Sequence, residues 1–485
     1  MSDMSNDTVR LKKEILVRIV KAFLSDSFED NARLIPFDMR PKGCEVPYRC
    51  CIYKERAALR NRVMAGLGTT LENDDERHTL AEFVRRAVNR KRPDKDVLTV
   101  LESACQGCLP NAVFVTELCQ GCVARPCVNT CRFNAIKFIN GKSVIDQSKC
   151  KQCGMCMKVC PYQAIVKRIV PCENVCPVGA IAKGPSGLAK IDFDKCISCG
   201  KCVVACPFGA VHEKSQLIDV LVRIKSGMKV VAMMAPSVAG QLPCSPQQLN
   251  TALRKMGFYD VWEVAVGADV TAKNEAKDFM ERMERGDKFM TTSCCAAYNE
   301  LVKKHMPEIK PFVSDTHTPL YYTAELVREK YPDAVTVFLS PCVAKRQEAT
   351  EYDTIDYVLT FEELGAMLIG FNIQVAKCEE TDFEQFASKQ GRGYPLTGGV
   401  AESVRVALGK NSDKVKPFVV DGLNKMSIRD LKRYAKNGAC EEGNLIEIMS
   451  CPGGCIGGNA TLNSIKTASK AVNAYLDKSE DLNLD

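Results

Sequence analysis

The pattern of apolar and polar positions changes twice along the chain and separates three regions. In residues 1–100, apolar residues recur at helical spacing and predict helices at residues 9–24, 54–66 and 75–92. After residue 216, short apolar runs alternate with amphipathic helical stretches. These runs predict buried strands: "KVVAMMAPS", "FMTTS", "AVTVFLSPC" and "LIEIMSC". The alternation predicts an α/β fold whose parallel strands place chemistry at their carboxyl ends.

Three of those four strand ends carry cysteines, which are Cys294 and Cys295, Cys342, and the pair Cys451 and Cys455. Loops that converge from strand ends can place four of these five thiols around one iron–sulfur cubane. The segment "CPGGCIGG" also puts glycine between and after its two cysteines. Glycine lets the backbone approach a bulky inorganic ligand. We therefore expect a cofactor pocket at these strand ends.

The region between, residues 101–215, is dominated by cysteine spacing. Two runs have the same form, Cys150-x2-Cys153-x2-Cys156-x3-Cys160-Pro161 and Cys196-x2-Cys199-x2-Cys202-x3-Cys206-Pro207. This is the spacing of bacterial two-cluster ferredoxins, in which the fourth cysteine ligates the other cluster. A zinc site would instead require Cys-x2-Cys pairs separated by a long spacer. The spacing favours a ferredoxin-like domain that relays electrons.

Eight more cysteines surround the two runs: Cys105, Cys108, Cys119, Cys122, Cys127, Cys131, Cys172 and Cys176. With the first eight they suffice for four 4Fe-4S clusters, the alternative being three clusters with cysteines to spare. From the crossing rule we predict that Cys206 joins the 150/153/156 group and Cys160 joins the 196/199/202 group. For the remaining groups we predict 119/122/127 with Cys176, and 105/108/172 with Cys131.

Composition and charge add the cellular setting. No window approaches about 18 consecutive apolar residues, and the charged N-terminus lacks the pattern of a secretory signal. The 27 cysteines are then expected in a reducing cytoplasm, where clustered thiols usually bind metal. The formal net charge is +7. Because each cubane with its thiolates carries about −2, several clusters would cancel that excess, and we infer no nucleic-acid partner.

The three strand-end segments resemble those of the FeFe (iron-only) hydrogenases, because the cysteines after "FMTTS", "FLSP" and "EIMS" fall in the family order. The resemblance covers about residues 215–476. It implies an α/β catalytic domain with parallel sheets over residues 216–485. An α+β ferredoxin-like domain with accessory 4Fe-4S clusters would occupy residues 101–215, and a helical region of unknown role residues 1–100.

The resemblance also implies a cofactor and its ligands. The family's H-cluster is a 4Fe-4S cubane joined through one cysteine sulfur to a two-iron unit that bears CO, cyanide and a bridging amine dithiolate. By position, the cubane ligands would be Cys295, Cys342, Cys451 and Cys455, the last as the bridge. Pro236, Ser237 and Met449 would line the two-iron pocket. Lys345 would hydrogen-bond a cyanide, and Cys294 and Ser314 would carry protons.

The chain departs from the family pattern at several positions. Ala296, Ala297 and Tyr298 follow Cys295 where the family usually has Pro and Trp, and Ser340 replaces a methionine. Two glutamates of the family's proton path align with Asn274 and Lys277, so we expect the outer proton route to be either rerouted through Glu275 or Glu281, or slow. Such departures resemble a divergent branch, the group B clostridial type.

The implied activity is ferredoxin-dependent, oxygen-sensitive H2 oxidation and proton reduction, with about four accessory clusters and separate maturation proteins. No Gly-x-Gly-x-x-Gly follows a predicted strand, which argues against direct binding of NAD or a flavin. Two alternatives stay open: an H2 sensor, and a non-catalytic iron–sulfur relative that lacks the two-iron unit. Retention of Cys455, Lys345 and Cys294 together favours the enzyme.

Overall fold

The computed structural model describes residues 7–44, 48–69, 71, 74 and 77–483. It begins with four helices, α1 (Asp7–Leu24), α2 (Phe28–Met39), α3 (Ile52–Gly66) and α4 (Leu80–Asn89). The helix predicted at residues 75–92 begins later, at Leu80, because Thr79 caps α4. Residues 75 and 76 lie outside the described residues. The sequence did not predict α2, which contains Pro36, a residue that usually interrupts a helix.

The cysteine-rich region consists of short elements, which are β1 (Leu98–Val100), β2 (Ala112–Val115), α5 (Pro126–Thr130), β3 (Ile136–Ile139), β4 (Lys142–Ile145), α6 (Met155–Lys158), β5 (Ile165–Arg168), α7 (Pro171–Val175), β6 (Ile181–Lys183), β7 (Ala189–Ile191), α8 (Lys201–Ala205) and β8 (Val211–Glu213). They form two similar lobes. The first lobe, residues 109–168, contains the antiparallel pairs β2–β5 and β3–β4. The second lobe, residues 98–108 and 171–214, contains β1–β8 and β6–β7. Each lobe thus repeats the elements of a two-cluster ferredoxin.

The C-terminal region alternates helices and strands: α9 (Leu217–Lys225), β9 (Val230–Met234), α10 (Pro246–Lys255), β10 (Asp260–Glu263), α11 (Ala265–Arg285), β11 (Met290–Thr291), α12 (Ala296–His305), α13 (Pro319–Lys330), β12 (Val335–Ser340), α14 (Ala344–Ala349), β13 (Tyr357–Thr360), α15 (Phe361–Gly370), α16 (Lys389–Gly393), α17 (Gly399–Ala407), β14 (Pro417–Asp421), α18 (Lys425–Asn437), β15 (Leu445–Met449) and α19 (Ile465–Leu476). Short 3-10 turns lie at Pro236–Val238, Pro307–Phe312, Val375–Lys377, Gly409–Lys414 and Cys455–Gly457.

The strands of this region form two parallel sheets, with the orders β10-β9-β12-β13 and β11-β15-β14. The four predicted strands correspond to β9, β11, β12 and β15, each buried along its whole length. Strands buried on both faces appear in the sequence as continuous apolar runs, which is why these four could be predicted. The predicted mixture of a parallel α/β region, α+β lobes and an N-terminal helical segment is confirmed.

Helix α1 joins the N-terminal segment to the rest of the protein. Its residues Ile15 and Ile19 lie in the same apolar core as β9 and β12. Lys12 is buried between Glu213, at the end of the second lobe, and Glu362 in α15. The two carboxylates compensate the charge of a lysine at that depth. Among the described residues, no helix is long and apolar enough to span a membrane.

Candidate functional site

The predicted strand-end cysteines come from both parallel sheets. Cys295 follows β11 and directly precedes α12, and Cys451 follows β15 in the same sheet. Cys342 follows β12, which belongs to the other sheet. Because the strands within each sheet run parallel, their carboxyl ends open towards one region. The site therefore lies where the loops of two sheets meet.

The four thiols predicted to hold the cubane are close neighbours. Burial raises the pKa of Cys451, and the thiols of Cys342, Cys295 and Cys455 raise it further. Burial likewise raises the pKa of Cys455, with added repulsion from Cys342 and Cys295. Buried thiols at this spacing favour the thiolate only when a cationic centre compensates their charge, as iron does in a cluster. The donor set thus fits a cubane.

The glycine pair between Cys451 and Cys455 lets the loop fold back on the chain. Gly454 has φ +78, and a Cβ there would lie 2.5 Å from the Pro395 carbonyl oxygen. The backbone N–H of Cys455 donates to that same oxygen at 2.8 Å. Only glycine can adopt this backbone without a clash. The glycines therefore fix the position of Cys455 rather than merely leaving the loop flexible.

A cavity of about 80 Å³ adjoins Cys455. Its lining brings together the residues predicted from the family resemblance, namely Pro236, Ser237, Cys294, Lys345, Met449 and Cys455. The rest of the wall is mostly apolar, including Phe338 and Ala268. The Ser237 hydroxyl is fully buried, and no described residue hydrogen-bonds to it. An orphaned donor in an apolar cavity is the mark of a site shaped for a ligand with polar edges.

Lys345 points into this site and is held by a carboxylate. Its Nζ donates to Glu348 Oε2 at 2.6 Å and to the Cys294 carbonyl oxygen at 3.3 Å. Burial alone would lower the pKa of Lys345, but Glu348 more than offsets this and raises it. The ammonium therefore stays charged and directed at the cavity. Glu348 was not predicted from the sequence, although it lies three residues after Lys345 on α14, which is a recognisable ion-pair spacing.

Cys294 and Glu275 form the protonatable side of the cavity. Burial raises the pKa of Cys294 well above its usual value, and Glu275 is its strongest charged neighbour. Glu275 Oε1 accepts from the Ser293 backbone N–H at 3.2 Å. Burial raises the pKa of Glu275 to about 7. A carboxyl with that pKa can both take and release a proton near neutral pH.

The two alternatives that the sequence offered for the outer proton route are separated by the structure. Glu275 is buried beside Cys294, whereas Glu281 is exposed and pairs with Lys277 at 3.9 Å. Asn274 also lies at the surface and donates to the Tyr322 hydroxyl at 2.9 Å. Of the two predicted candidates, Glu275 is therefore the buried carboxylate next to the cavity thiol.

Ser314 is buried on the same side but is held by backbone groups. Its backbone N–H donates to the Thr291 carbonyl at 2.8 Å, and its Oγ accepts from the Thr316 N–H at 3.2 Å. Ser293 Oγ, within 3.5 Å of Glu275, donates to the Thr316 carbonyl at 2.6 Å. Both hydroxyls line a second, open cavity of about 400 Å³ that reaches the surface. This places solvent two side chains from Cys294.

Two further buried polar residues lie near the cavity and were not predicted from the sequence. Tyr394 lines the cavity, and its buried hydroxyl has no hydrogen-bond partner among the described residues. Glu447 in β15 accepts from the backbone N–H groups of Gly398 and Ala401 at 2.8 and 2.9 Å. Burial raises the pKa of Glu447 to about 7. A glutamate inside an apolar strand was the one hint that the sequence contained.

The cysteines of the two lobes contradict the predicted pairing. Burial raises the pKa of Cys156, and Cys150, Cys153 and Cys131 add to it. Burial also raises the pKa of Cys172, and repulsion from Cys206 and Cys108 raises it further. The pKa of Cys199 is raised in the same way by burial and by Cys196 and Cys176. The fourth cysteine ligand of each cluster therefore comes from the same lobe as the other three. These neighbours, together with the sequence grouping of the remaining cysteines, give four sets: first, Cys119, Cys122, Cys127 and Cys160; second, Cys131, Cys150, Cys153 and Cys156; third, Cys105, Cys108, Cys172 and Cys206; fourth, Cys176, Cys196, Cys199 and Cys202.

The prediction was wrong because the two regular runs were paired with each other. Each belongs instead to a separate two-cluster unit whose other cysteines are spaced less regularly. Cys160 is left with the first set by elimination, since the other three sets are complete. In the described part of the chain, no three His, Cys, Asp or Glu side chains come close enough to share a single metal ion, and the sets are spaced more widely than that.

The sets follow one another towards the cavity. Gln152, within the second set, donates to the Asn111 carbonyl at 3.0 Å, and Asn111 donates to Glu173, beside the third set, at 3.1 Å. Cys172 of the third set neighbours Cys202 of the fourth. Cys199 of the fourth set neighbours Cys451. The contacts trace a continuous series from the first lobe to the strand-end site.

The chain resembles known proteins over the regions that carry these sites. Residues 228–459 match the family described as iron only hydrogenase large subunit, C-terminal domain. Residues 142–165 and 189–212 match two 4Fe-4S binding domain families. A solved FeFe-hydrogenase structure from Chlamydomonas reinhardtii shares 20% identity and a TM-score of 0.45, over 56% of this chain and 91% of that one.

Curated relatives fall into two groups. The chain is 27% identical over 370 residues to the periplasmic Fe hydrogenase large subunit of Nitratidesulfovibrio vulgaris, covering 65% of this chain and 85% of that protein. It is 27% identical over 305 residues to iron hydrogenase 1 of Clostridium pasteurianum, covering 51% of this chain and about half, 52%, of that protein. It is 22% identical over 293 residues to a probable cytosolic Fe-S cluster assembly factor of Drosophila erecta, covering 49% and 61%.

Proposed function

We propose that this chain, whose residues 228–459 match the iron-only hydrogenase family, is a hydrogenase. It would catalyse the reversible oxidation of H2 to protons and electrons at an H-cluster. Electrons would pass through the 4Fe-4S clusters of the two lobes to or from ferredoxin. The observation that carries the proposal is the cavity in which Cys294, Lys345, Ser237 and Cys455 meet. An electron-relay protein has no need of such a cavity.

The residues present fit the family's cofactor. Cys295, Cys342, Cys451 and Cys455 would hold the cubane, with Cys455 bridging to the two-iron unit. Lys345 Nζ and the unpartnered Ser237 Oγ would receive the polar diatomic ligands, while the apolar wall excludes water. When bound, the cofactor supplies the open iron and the basic amine at which H2 is split heterolytically.

The chain's own contribution is to move protons and to keep the pocket dry. Cys294 would exchange a proton with the cofactor side of the cavity, and Glu275 would exchange it with Cys294. Ser293 and Ser314, which line the open cavity, would hand it to solvent. Glu275 suits the middle position because its pKa of about 7 lets both of its protonation states be populated.

The setting follows from the same proposal. The two-iron unit would be supplied by separate maturation proteins, and the enzyme would work anaerobically in the cytoplasm with a small electron carrier. The first-to-fourth order of the cysteine sets would define the electron route to the strand-end cubane. Four accessory clusters use all sixteen lobe cysteines.

A second candidate is an assembly or scaffold protein that carries cubanes alone, since the relatives include cytosolic Fe-S cluster assembly factors at 22% identity. That function requires the cysteine sets but not Lys345, Cys294 and Ser237 around a common cavity. The cavity therefore favours the hydrogenase.

Isotope exchange between D2 and protons tests the proposal without an electron carrier. The fully maturated protein is expected to form HD, and Cys294→Ala to slow this by about 100-fold or more, because proton transfer at that position is lost. The control is Cys378→Ala, another buried cysteine, whose Sγ faces the Gln374 carbonyl away from the cavity. A comparison of HD formation by Glu275→Gln and by Glu281→Gln tests the next proton-transfer step.

Two outcomes would contradict the proposal, the first its hydrogenase activity and the second its proton route. Exchange absent from wild-type protein with full cofactor loading would favour the scaffold function. Equal exchange in Cys294→Ala and wild type would retain the hydrogenase but remove Cys294 from the proton route.

A further inference from the structure

The two lobes differ sharply in charge although they share their elements and cysteine spacing. The first lobe contains nine Lys and Arg residues and two Asp and Glu residues, a net charge of +7. The second lobe contains five of each and is neutral. Because the whole chain also has a net charge of +7, the excess positive charge of the protein resides in the first lobe.

Bound clusters would not cancel this charge. Two cubanes with their thiolates contribute about −4, which leaves the first lobe at about +3. Seven of the nine basic side chains are exposed, and only Lys142 is in an ion pair, with Glu117, among the lobe residues that the structure describes. The positive charge therefore faces solvent.

The basic residues are concentrated around the clusters. Five of them lie within two residues of a cluster cysteine: Arg125, Arg132, Lys149, Lys151 and Lys158. The loop of the first set also exposes apolar side chains, since Val123 is 96% exposed beside Cys122 and Leu118 is 61% exposed beside Cys119. Gly121 holds this loop against the β3–β4 turn, where a Cβ would lie 2.2 Å from the Gly141 carbonyl oxygen.

An apolar centre with a charged rim is the usual anatomy of a protein-docking surface. Cys153 of the second set is exposed, whereas none of the eight cluster cysteines of the second lobe is exposed. Because electron transfer weakens steeply with distance, a carrier must approach the lobe that contains Cys153. Charge complementarity then selects a partner of opposite sign and raises the association rate.

We infer that the surface formed by the 118–125 loop and the basic residues around the first and second cysteine sets is the docking site for a small acidic electron-carrier protein. This inference rests on the proposed function and adds the location of the partner and its charge. The neutral second lobe would serve only as an internal relay.

Direct binding tests the site independently of H2 turnover. We would titrate the cluster-loaded full chain anaerobically with a bacterial two-cluster ferredoxin by calorimetry. Lys149→Glu/Lys158→Glu should raise the Kd by about tenfold or more and flatten its salt dependence, because rim charges are lost. The matched control is Lys432→Glu/Lys436→Glu, which reverses two exposed charges on α18.

A turnover assay separates this inference from the proposed function. With ferredoxin the KM should rise in the lobe variant, while activity with methyl viologen, a small dye, should match wild type. No ferredoxin binding by wild type, equal Kd values in both variants, or preferential binding to phosphatidylserine vesicles would overturn the docking site. Absence of viologen-linked activity in loaded wild type would contradict the hydrogenase proposal while leaving the binding result interpretable.

Discussion

The two lobes show how one cysteine pattern acquires two environments. Both repeat the same strand pairs and short helices, and both carry a Cys-x2-Cys-x2-Cys run. In the first lobe Cys153 of that run is exposed, whereas Cys196 and Cys199 of the second lobe are buried. The cysteine spacing therefore specifies the type of cluster. The packing around the cluster specifies its position along the electron-transfer route.

The burial of the second lobe comes from contacts with the C-terminal region. Lys304 of α12 donates to the Cys196 carbonyl at 2.8 Å, and Lys201 donates to the Leu423 carbonyl. Gly200 approaches Asn459 so closely that a Cβ would lie 1.8 Å from its Nδ2. Such contacts shield a cluster from water and change its reduction potential. The two lobes should therefore respond differently to matched substitutions.

The largest difference is expected from loss of one ligand in each lobe. Cys199→Ala should remove the set beside Cys451 and lower viologen-linked H2 oxidation by about 100-fold, because every electron crosses that set. Cys153→Ala should abolish ferredoxin-linked activity but leave viologen-linked activity within about threefold of wild type, because a dye can reach the later sets. Iron content and both assays check this. Equal loss of viologen activity in both variants would contradict the linear order.

A smaller difference is expected for the glycines that follow the second cysteine of each run. Gly154 and Gly200 have φ +77 and +73, so alanine costs about 1–2 kcal/mol of backbone strain in either lobe. Gly200→Ala also clashes with Asn459, which adds about 1–3 kcal/mol, whereas a Cβ at Gly154 meets only Met157 Sδ at 3.9 Å. The apparent Tm should fall further for Gly200→Ala. Equal shifts would mean that the second lobe is not tightly packed.

The smallest effect concerns pH. His212 in the second lobe is buried, and burial lowers its pKa to about 4. Its neutral form is therefore the one that stabilises the fold, and this stability is complete above the unfolded pKa of about 6.5 and declines as the pH falls towards 4. Between pH 7.5 and pH 5 the loss is about 2 kcal/mol. His212→Gln should lose less apparent Tm over that range, and an identical decline would contradict the assignment.

Much of the fold could be predicted because its central strands are buried on both faces. The apolar runs ending at Ser340 and Met449 gave the positions of β12 and β15, and the cysteines after them marked the site. Helix α2 escaped prediction because Pro36 and polar residues interrupt its apolar pattern. Burial in the shared core compensates that weakness, and such tertiary packing is invisible in a local window.

The site was predictable where residues adjoin a strand end and unpredictable where they arrive from elsewhere. Cys294 and Lys345 stand next to cluster cysteines in the sequence. Tyr394, by contrast, reaches the cavity from a segment that carries no motif. The cysteine pairing failed for a related reason, since spacing identifies a ligand group but not which fourth cysteine the fold brings to it. Both failures concern contacts between distant parts of the chain.

Infrared spectroscopy of the anaerobically purified, maturated protein tests whether the chain carries a working two-iron unit. CO and cyanide stretching bands report the two-iron unit itself, and a working site should shift them when H2 is added. We expect bands that shift under H2 and that respond to Lys345→Met, because this variant removes the ammonium facing the cavity. A spectrum without such bands, despite full iron loading and competent maturation, would contradict the hydrogenase account and leave an iron–sulfur scaffold.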